Sequence, residues 1–271
     1  MPKLNIEDYN IHYESYGNGE PVIFLSGIMM STISWHPFRK SFNDYNLILI
    51  DLIDQGKSSS VNFQYDQNLQ VEILYKFIEK LNIDKCHIVG ISYGGEVALQ
   101  FALKYPHKLK SIILSNTTCH NSNIMKEIKE LWDFAASTYD GRILFKATMP
   151  YIYSHKFYEE NIQWLKKKEE AFSIGLTKQW YNSFRRIIKS ASNLNLIEEI
   201  KNISLPTMII GSEYDILTPI YYQKLIHKKI KDSRMVVIEK AGHAVIYEKP
   251  IEFIAAIKGF LESHNQDIKI L

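Results

Sequence analysis

Short apolar runs recur along this chain, each too brief for a buried helix and too continuous for a strand with one wet face. They are "VIFL" (22–25), "NLILID" (46–51), "HIVG" ending at Gly90, "SIILS" (111–115), "TMIIG" (207–211) and "MVVIE" (235–239). Continuous rather than alternating apolar character is expected of strands covered on both faces, as in a parallel sheet. Segments of helical period separate the runs. In "VEILYKFIEKL" (71–81), Ile73, Leu74, Phe77, Ile78 and Leu81 share one face. Further helices are predicted over 94–105, stopped by Pro106, over 220–230, with Thr218 as N-cap before Pro219, and over 251–262, entered from Pro250. Two strand-like segments at Leu4–Ile6 and Ile11–Ser15, flanking "EDYN", read as an antiparallel start. Strand followed by helix, repeated, predicts an α/β architecture with a doubly wound, mostly parallel sheet.

One block breaks the alternation. From Ser115 to Leu205 there is no clear strand, only helical patterning rich in aromatics, among them Trp132, Phe134, Tyr151, Tyr153, Trp164, Trp180 and Phe184. The faces of a doubly wound sheet are already occupied by helices, so this block is expected to form a cap over one end of the sheet. Most of its aromatics should make its own core and a minority should face a pocket. The expected division is a core of residues 1–118 and 204–271 and a helical cap, or lid, of residues 119–203.

Composition excludes several classes of partner. The chain has 271 residues, 46% hydrophobic and 23% charged, with a formal net charge of +2. That is enough apolar mass for a sizeable core and too little basic excess for a nucleic-acid surface. The densest lysine run, "KKKEE" (166–170), is neutralised at once and reads as a solvated helix face. No apolar run approaches a membrane span, and the start of the chain lacks the basic and apolar regions of a secretory signal, so a cytoplasmic location is expected. The two cysteines, Cys86 and Cys119, read as reduced thiols, and no Cys/His spacing suits zinc; neither metal nor cofactor is expected.

The stretch "CHIVGISYGG" (86–95) carries the chemistry. Residues 90–94, "GISYG", match G-x-S-x-G with a strand-like run before and a helical pattern after. At so sharp a turn Ser92 is held in strained dihedrals, and a Cβ two residues to either side would strike neighbouring backbone, which Gly90 and Gly94 avoid. A serine hydroxyl needs an adjacent base. His243, in "EKAGHAVIYEKP", follows a strand-like run and precedes the last helix, so it opens at the same end of the sheet as Ser92. Asp215, in "GSEYDILTP", supplies the acid that holds the imidazole; Glu213 competes but lies closer to the strand end.

Taken together, "FLSGIMMSTISW", "DLIDQGKSS", "GISYGGEVAL", "GSEYDILTP" and "AGHAVIYEKP", collinear over nearly the whole chain, resemble the α/β-hydrolase family, in its serine esterase branch with a helical cap inserted after the sixth strand. The resemblance implies an oxyanion hole formed by the backbone N–H groups of Tyr93 and Ile28. It also has departures. The usual His-Gly is Ser26-Gly27 here, followed by Ile28, Met29 and Met30, which should narrow or grease the pocket mouth. The usual D-x-x-G-H-G-x-S reads "DLIDQGKS", a loop expected to be structural with Asp54 a solvated turn residue. Met29, Met30 and Trp132 are the candidate pocket residues.

A Ser–His–Asp set with two backbone donors is suited to acyl transfer. The expected activity is hydrolysis of a carboxylic ester, thioester or lactone of a small, partly apolar substrate through an acyl-enzyme. Ser at position 92 argues against the dehalogenase and epoxide-hydrolase pattern, and the His-Gly-Gly-Pro-Gly of proline iminopeptidases is absent. A C–C bond hydrolase, a perhydrolase, or a ligand receptor that keeps the pocket without turnover remain as alternatives.

Overall fold

The computed structural model describes residues 3–263; the ends of the expected core segments, 1–2 and 264–271, lie outside the described residues. Strand β5 (Cys86–Ile91) is buried at all six positions. It sits within an eight-stranded sheet of order β1-β2-β4-β3-β5-β6-β7-β8. The remaining strands are β1 (Lys3–Ile6), β2 (Tyr9–Tyr16), β3 (Glu20–Leu25), β4 (Tyr45–Ile50), β6 (Leu109–Ser115), β7 (Thr207–Ser212) and β8 (Ser233–Ile238). β1 pairs antiparallel with β2 and β2 antiparallel with β4, while every pairing from β4 to β8 is parallel.

The continuous apolar runs have their physical reason here, since alternate residues of strands β3 to β7 enter two different cores. Ile23, Leu25, Ile48, Ile50, Ile88, Ile112, Leu114 and Ile209 pack on one face with helices α1 (Gln67–Lys80), α2 (Tyr93–Lys104) and α8 (Ile220–Lys229). Val22, Phe24, Leu47, Leu49, Val89, Ile91, Ile113 and Ile210 pack on the other, against 3₁₀ turns over Thr32–Phe42, the short α9 (Val245–Glu248) and α10 (Pro250–Ser263). From β3 the chain moves to β4 on one side and then crosses to β5 on the other. The sheet's switch point therefore lies between the carboxyl ends of β3 and β5, where an open α/β sheet forms its ligand crevice.

Between β6 and β7 the chain runs through a helical insertion: α3 (Asn123–Ser137), α4 (Gly141–Ile152), α5 (His155–Glu160), α6 (Ile162–Gly175) and α7 (Lys178–Ser190). Side-chain N-caps start four of these helices: Ser122, Asp140, Ser154 and Thr177 each accept from a backbone N–H in the first turn. The insertion has its own apolar core, in which Trp132, Tyr181 and Phe184 pack with Met125, Ile128 and Leu144. Among the described residues no helix is long and apolar enough to cross a membrane.

Two expectations are corrected. Asp54 is not a solvated turn residue: it is 8% exposed, at φ +67°, and holds the insertion to the core. Arg186 of α7 donates to it from Nε (2.9 Å) and Nη2 (2.7 Å), and Ser60 and Ser183 hydroxyls donate to it at 2.8 Å. The sequence conceals this because the partner lies 132 residues away. Nor does Thr218 cap α8; Pro219 takes that place and the Thr218 hydroxyl is directed to Asp215.

The Asp54–Arg186 pair yields a test. Removing one member leaves a largely buried charge unpaired, so Asp54→Ala should lower unfolding free energy by about 3 kcal/mol. Asp44→Ala, at an exposed carboxylate, should stay within about 0.5 kcal/mol in the same urea titration.

Candidate active site

The turn leaving β5 builds the site. Ser92 sits at φ +53° and ψ −119°, directly before α2. Its N–H donates to the Ser115 carbonyl (2.9 Å), and its own carbonyl accepts from the Thr117 hydroxyl (2.7 Å) and from the Gly95 and Glu96 N–H groups. The two flanking glycines are sterically required. A Cβ at Gly90 would lie 2.4 Å from the Gly94 carbonyl oxygen, and one at Gly94 would lie 2.3 Å from the Leu25 carbonyl oxygen at the end of β3. Both are far inside contact distance, so only glycine lets helix, strand and loop approach this closely.

The structure brings Ser92, His243 and Asp215 together, although 151 residues separate the first two. His243 Nε2 lies 2.9 Å from Ser92 Oγ, and His243 Nδ1 lies 2.9 Å from Asp215 Oδ2. The acid is heavily ligated. Its Oδ1 accepts from the N–H groups of Leu217 (2.9 Å) and Thr218 (2.8 Å); its Oδ2 accepts from Asn116 Nδ2 and the Thr218 hydroxyl, both at 2.8 Å. Burial alone would push the Asp215 carboxyl up, but His243, Asn116 and the Thr218 amide together hold it below its ordinary value. Glu213, the competing acid, turns away and accepts from the Lys240 N–H.

Asn116 and Thr218 are the residues that sequence reasoning missed. Asn116 follows β6, in "LSNTTCHN"; its side chain reaches across to Asp215 and to the Ser212 hydroxyl (2.9 Å). A polar residue just past the end of a buried strand, beside the acid-bearing strand, is the signal that was available.

The Tyr93 and Ile28 N–H groups have no backbone or side-chain acceptor among the described residues. The loop bearing Ile28 is held by Gln55, whose Nε2 donates to the Gly27 carbonyl (3.0 Å), and by the Met30 N–H, which donates to the same oxygen (3.1 Å). Gln55, at the unusual position in "DLIDQGKS", thus fixes a peptide of the loop across from the serine. Ser26, in place of the usual histidine, is buried and accepts from Trp35 Nε1 (3.0 Å).

A cavity of about 440 Å³ opens above Ser92 and His243, between the sheet's end and the helical insertion. Ile28, Met29, Met30 and Trp132 line it, joined by apolar side chains from α3, α4 and α6 such as Met125, Ile128, Phe145, Met149 and Phe172. Two buried charged residues also face it, Glu96 of α2 and Lys129 of α3, neither singled out by the sequence reading. The histidine loop is clamped to the insertion: the Ala244 N–H donates to the Ile152 carbonyl (2.9 Å), and Glu248 accepts from the N–H groups of Ser154 (2.9 Å) and Gly242 (3.0 Å). Neither thiol competes as a nucleophile. Cys86 and Cys119 are buried and unpaired, and burial pushes them up to about 12 and about 11. Among the described residues no three His, Cys, Asp or Glu side chains form a metal-holding group.

With this geometry in hand, known proteins give the context. A family model described as the alpha/beta hydrolase fold matches residues 20–143 and 131–250. The crystal structure of MGS-M2, an alpha/beta hydrolase enzyme from a Medee basin deep-sea metagenome library, superposes with a TM-score of 0.95 at 37% identity, over 99% of this chain and 100% of that one. A 3-oxoadipate enol-lactonase of Acinetobacter baylyi is 25% identical over 250 residues, 91% of this chain and 90% of that protein. A proline iminopeptidase of Saccharolobus solfataricus is 25% identical over 280 residues, 93% of this chain and 89% of that protein. From its parallel sheet to the turn that carries Ser92, the chain belongs to the α/β hydrolase fold family.

Proposed function

We propose that this hydrolase cleaves carboxylic esters, including lactones and thioesters, of small and partly apolar acyl compounds through a covalent acyl-enzyme. The observation that carries the reading is the unbroken hydrogen-bonded line Ser92–His243–Asp215, opening onto a largely apolar cavity. Ser92 Oγ attacks the carbonyl carbon as its proton passes to His243 Nε2. The carbonyl oxygen, now negative, accepts from the Tyr93 and Ile28 N–H groups. Each such donor typically contributes about 2.7–4 kcal/mol to the transition state. Collapse expels the alcohol, which takes the proton from His243. A water then repeats the sequence on the acyl-serine and releases the acid. Asp215 keeps the imidazole in the tautomer with Nδ1–H and offsets the charge that forms on it. Residues 119–203 act in this scheme as a lid whose aromatic and methionine side chains select the acyl or alcohol group.

The enol-lactonase activity named for the Acinetobacter relative supports counting lactones within the substrate range. The missing His-Gly-Gly-Pro-Gly argues against following the iminopeptidase relative toward peptides.

Wild-type protein should hydrolyse p-nitrophenyl esters of short and medium acyl chains, and Ser92→Ala should reduce that rate to background; equal rates would end the proposal. Multiple turnovers after stoichiometric labelling controls with a fluorophosphonate would separate an enzyme from a receptor that reacts once. Asp215→Asn should lower kcat by roughly 10⁴ with little change in KM, because the amide favours the wrong tautomer of His243. A fall below tenfold in stopped assays would show that the acid is not Asp215.

A further inference from the structure

At the inner wall of the cavity a buried cation is left nearly without partners. Lys129 is 7% exposed, and its ammonium makes one long contact, 3.3 Å to the carbonyl of Ala191 at the end of α7. An ammonium has three donors, and among the described residues no carboxylate reaches ion-pair distance of this one. The acidic group on the same cavity wall whose charge acts on it is Glu96, 5% exposed, one helical turn beyond Ser92, whose N–H donates to the Ser92 carbonyl (3.1 Å). One oxygen of Glu96 accepts from Gln67 Nε2 (2.6 Å), and Gln67 in turn is held by Gln100 Nε2 (2.8 Å). A bridging ion pair would be the ordinary way to bury these two groups, and the protein does not make it.

We propose that Lys129 and Glu96 form a carboxylate-binding subsite, so that the ester cleaved at Ser92 carries a free carboxylate elsewhere in the molecule. This rests on the hydrolase reading above and narrows it. A buried charge without a partner is costly, and a ligand carboxylate supplies both the missing charge and acceptors for the two unspent donors. Burial draws Lys129 down and Glu96 up, each partly opposed by the other. The other lysine on the cavity wall, the exposed Lys168, lies 5.1 Å from the centre of the Trp164 ring. Two cations against one carboxyl of raised pKa favour an anionic substrate over a neutral polar one.

The test compares pairs of substrates that differ only in the charged end. Methyl half-esters of glutaric and adipic acid are set against methyl esters in which an isopropyl group replaces the carboxylate. Acetyl esters of a hydroxyalkanoate against branched-alkyl acetates cover the alcohol side. The readout is the ratio of kcat/KM within each pair, in which a general loss of activity cancels. Wild type should prefer the carboxylate, and Lys129→Gln should lower that ratio by about ten- to a hundredfold, as expected for loss of one charge-assisted contact. Glu96→Gln, which keeps the size and hydrogen-bonding capacity of the side chain, should change it by less than about threefold. Lys129→Met provides a second variant should the glutamine protein fold poorly. A wild type that prefers the neutral isosteres, or a ratio unmoved by the Lys129 variants, overturns the inference. Calorimetric binding of adipate and glutarate to Ser92→Ala protein separates the two readings. Lys129-dependent binding without any ester turnover keeps the subsite and removes the hydrolase proposal. Turnover of neutral esters without such binding does the reverse.

Discussion

The site depends on the close packing where the chain leaves β5. Ser92 is held at a positive φ, a region that non-glycine residues avoid, and the strain persists because three elements meet there with no space for another atom. Gly94 lies against the Leu25 carbonyl, so the start of α2 and the end of β3 are locked together. That contact sets the serine, the Tyr93 amide and the loop bearing the Ile28 amide in one rigid arrangement. Gln55 then pins the loop from the far side through Gly27. Preorganisation of this kind is established on folding, before substrate arrives.

A second constraint follows from burying a carboxylate. Asp215 is almost fully enclosed, and it stays ionised only because five donors converge on its two oxygens. Those donors come from β6's end, from the loop before α8 and from the histidine itself, so the acid ties three separate segments into one network. The helical insertion is coupled to the same region through Asp54–Arg186, through Glu248 with Ser154, and through the Tyr93 and Ser190 hydroxyls at 2.8 Å. Each of these ties joins a core segment at the carboxyl end of the sheet to a helix of the insertion or its terminus. Lys129 and Glu96 are buried ionisable side chains of the cavity lining, as His243 is.

Much of the fold was legible in the chain because strand burial on two faces writes itself as continuous apolar runs; all six runs are parallel strands of the sheet, although the edge strand β8 leaves Val237 exposed. The antiparallel start and the strandless block between β6 and β7 were legible for the same reason: hydrophobic period is a local property. Ser92, His243 and Asp215 could be chosen because each follows the carboxyl end of a parallel strand, and a parallel sheet puts all such positions at one end. Asp54 was misjudged and Asn116 overlooked because their partners, Arg186 and Asp215, lie more than ninety residues away, and nothing in a local window marks such a pairing.

By itself, then, the sequence determined the layered architecture, the sharp serine turn and the set of side chains able to act there, since periodicity, glycine placement and residue chemistry are all carried by neighbouring positions. Only the tertiary structure decided which oxygen of which acid meets the histidine, how the cap is fastened, and that a lysine and a glutamate face the cavity without pairing. Those outcomes depend on distances between segments remote along the chain, and they are set by packing around the whole core rather than by any short stretch of it.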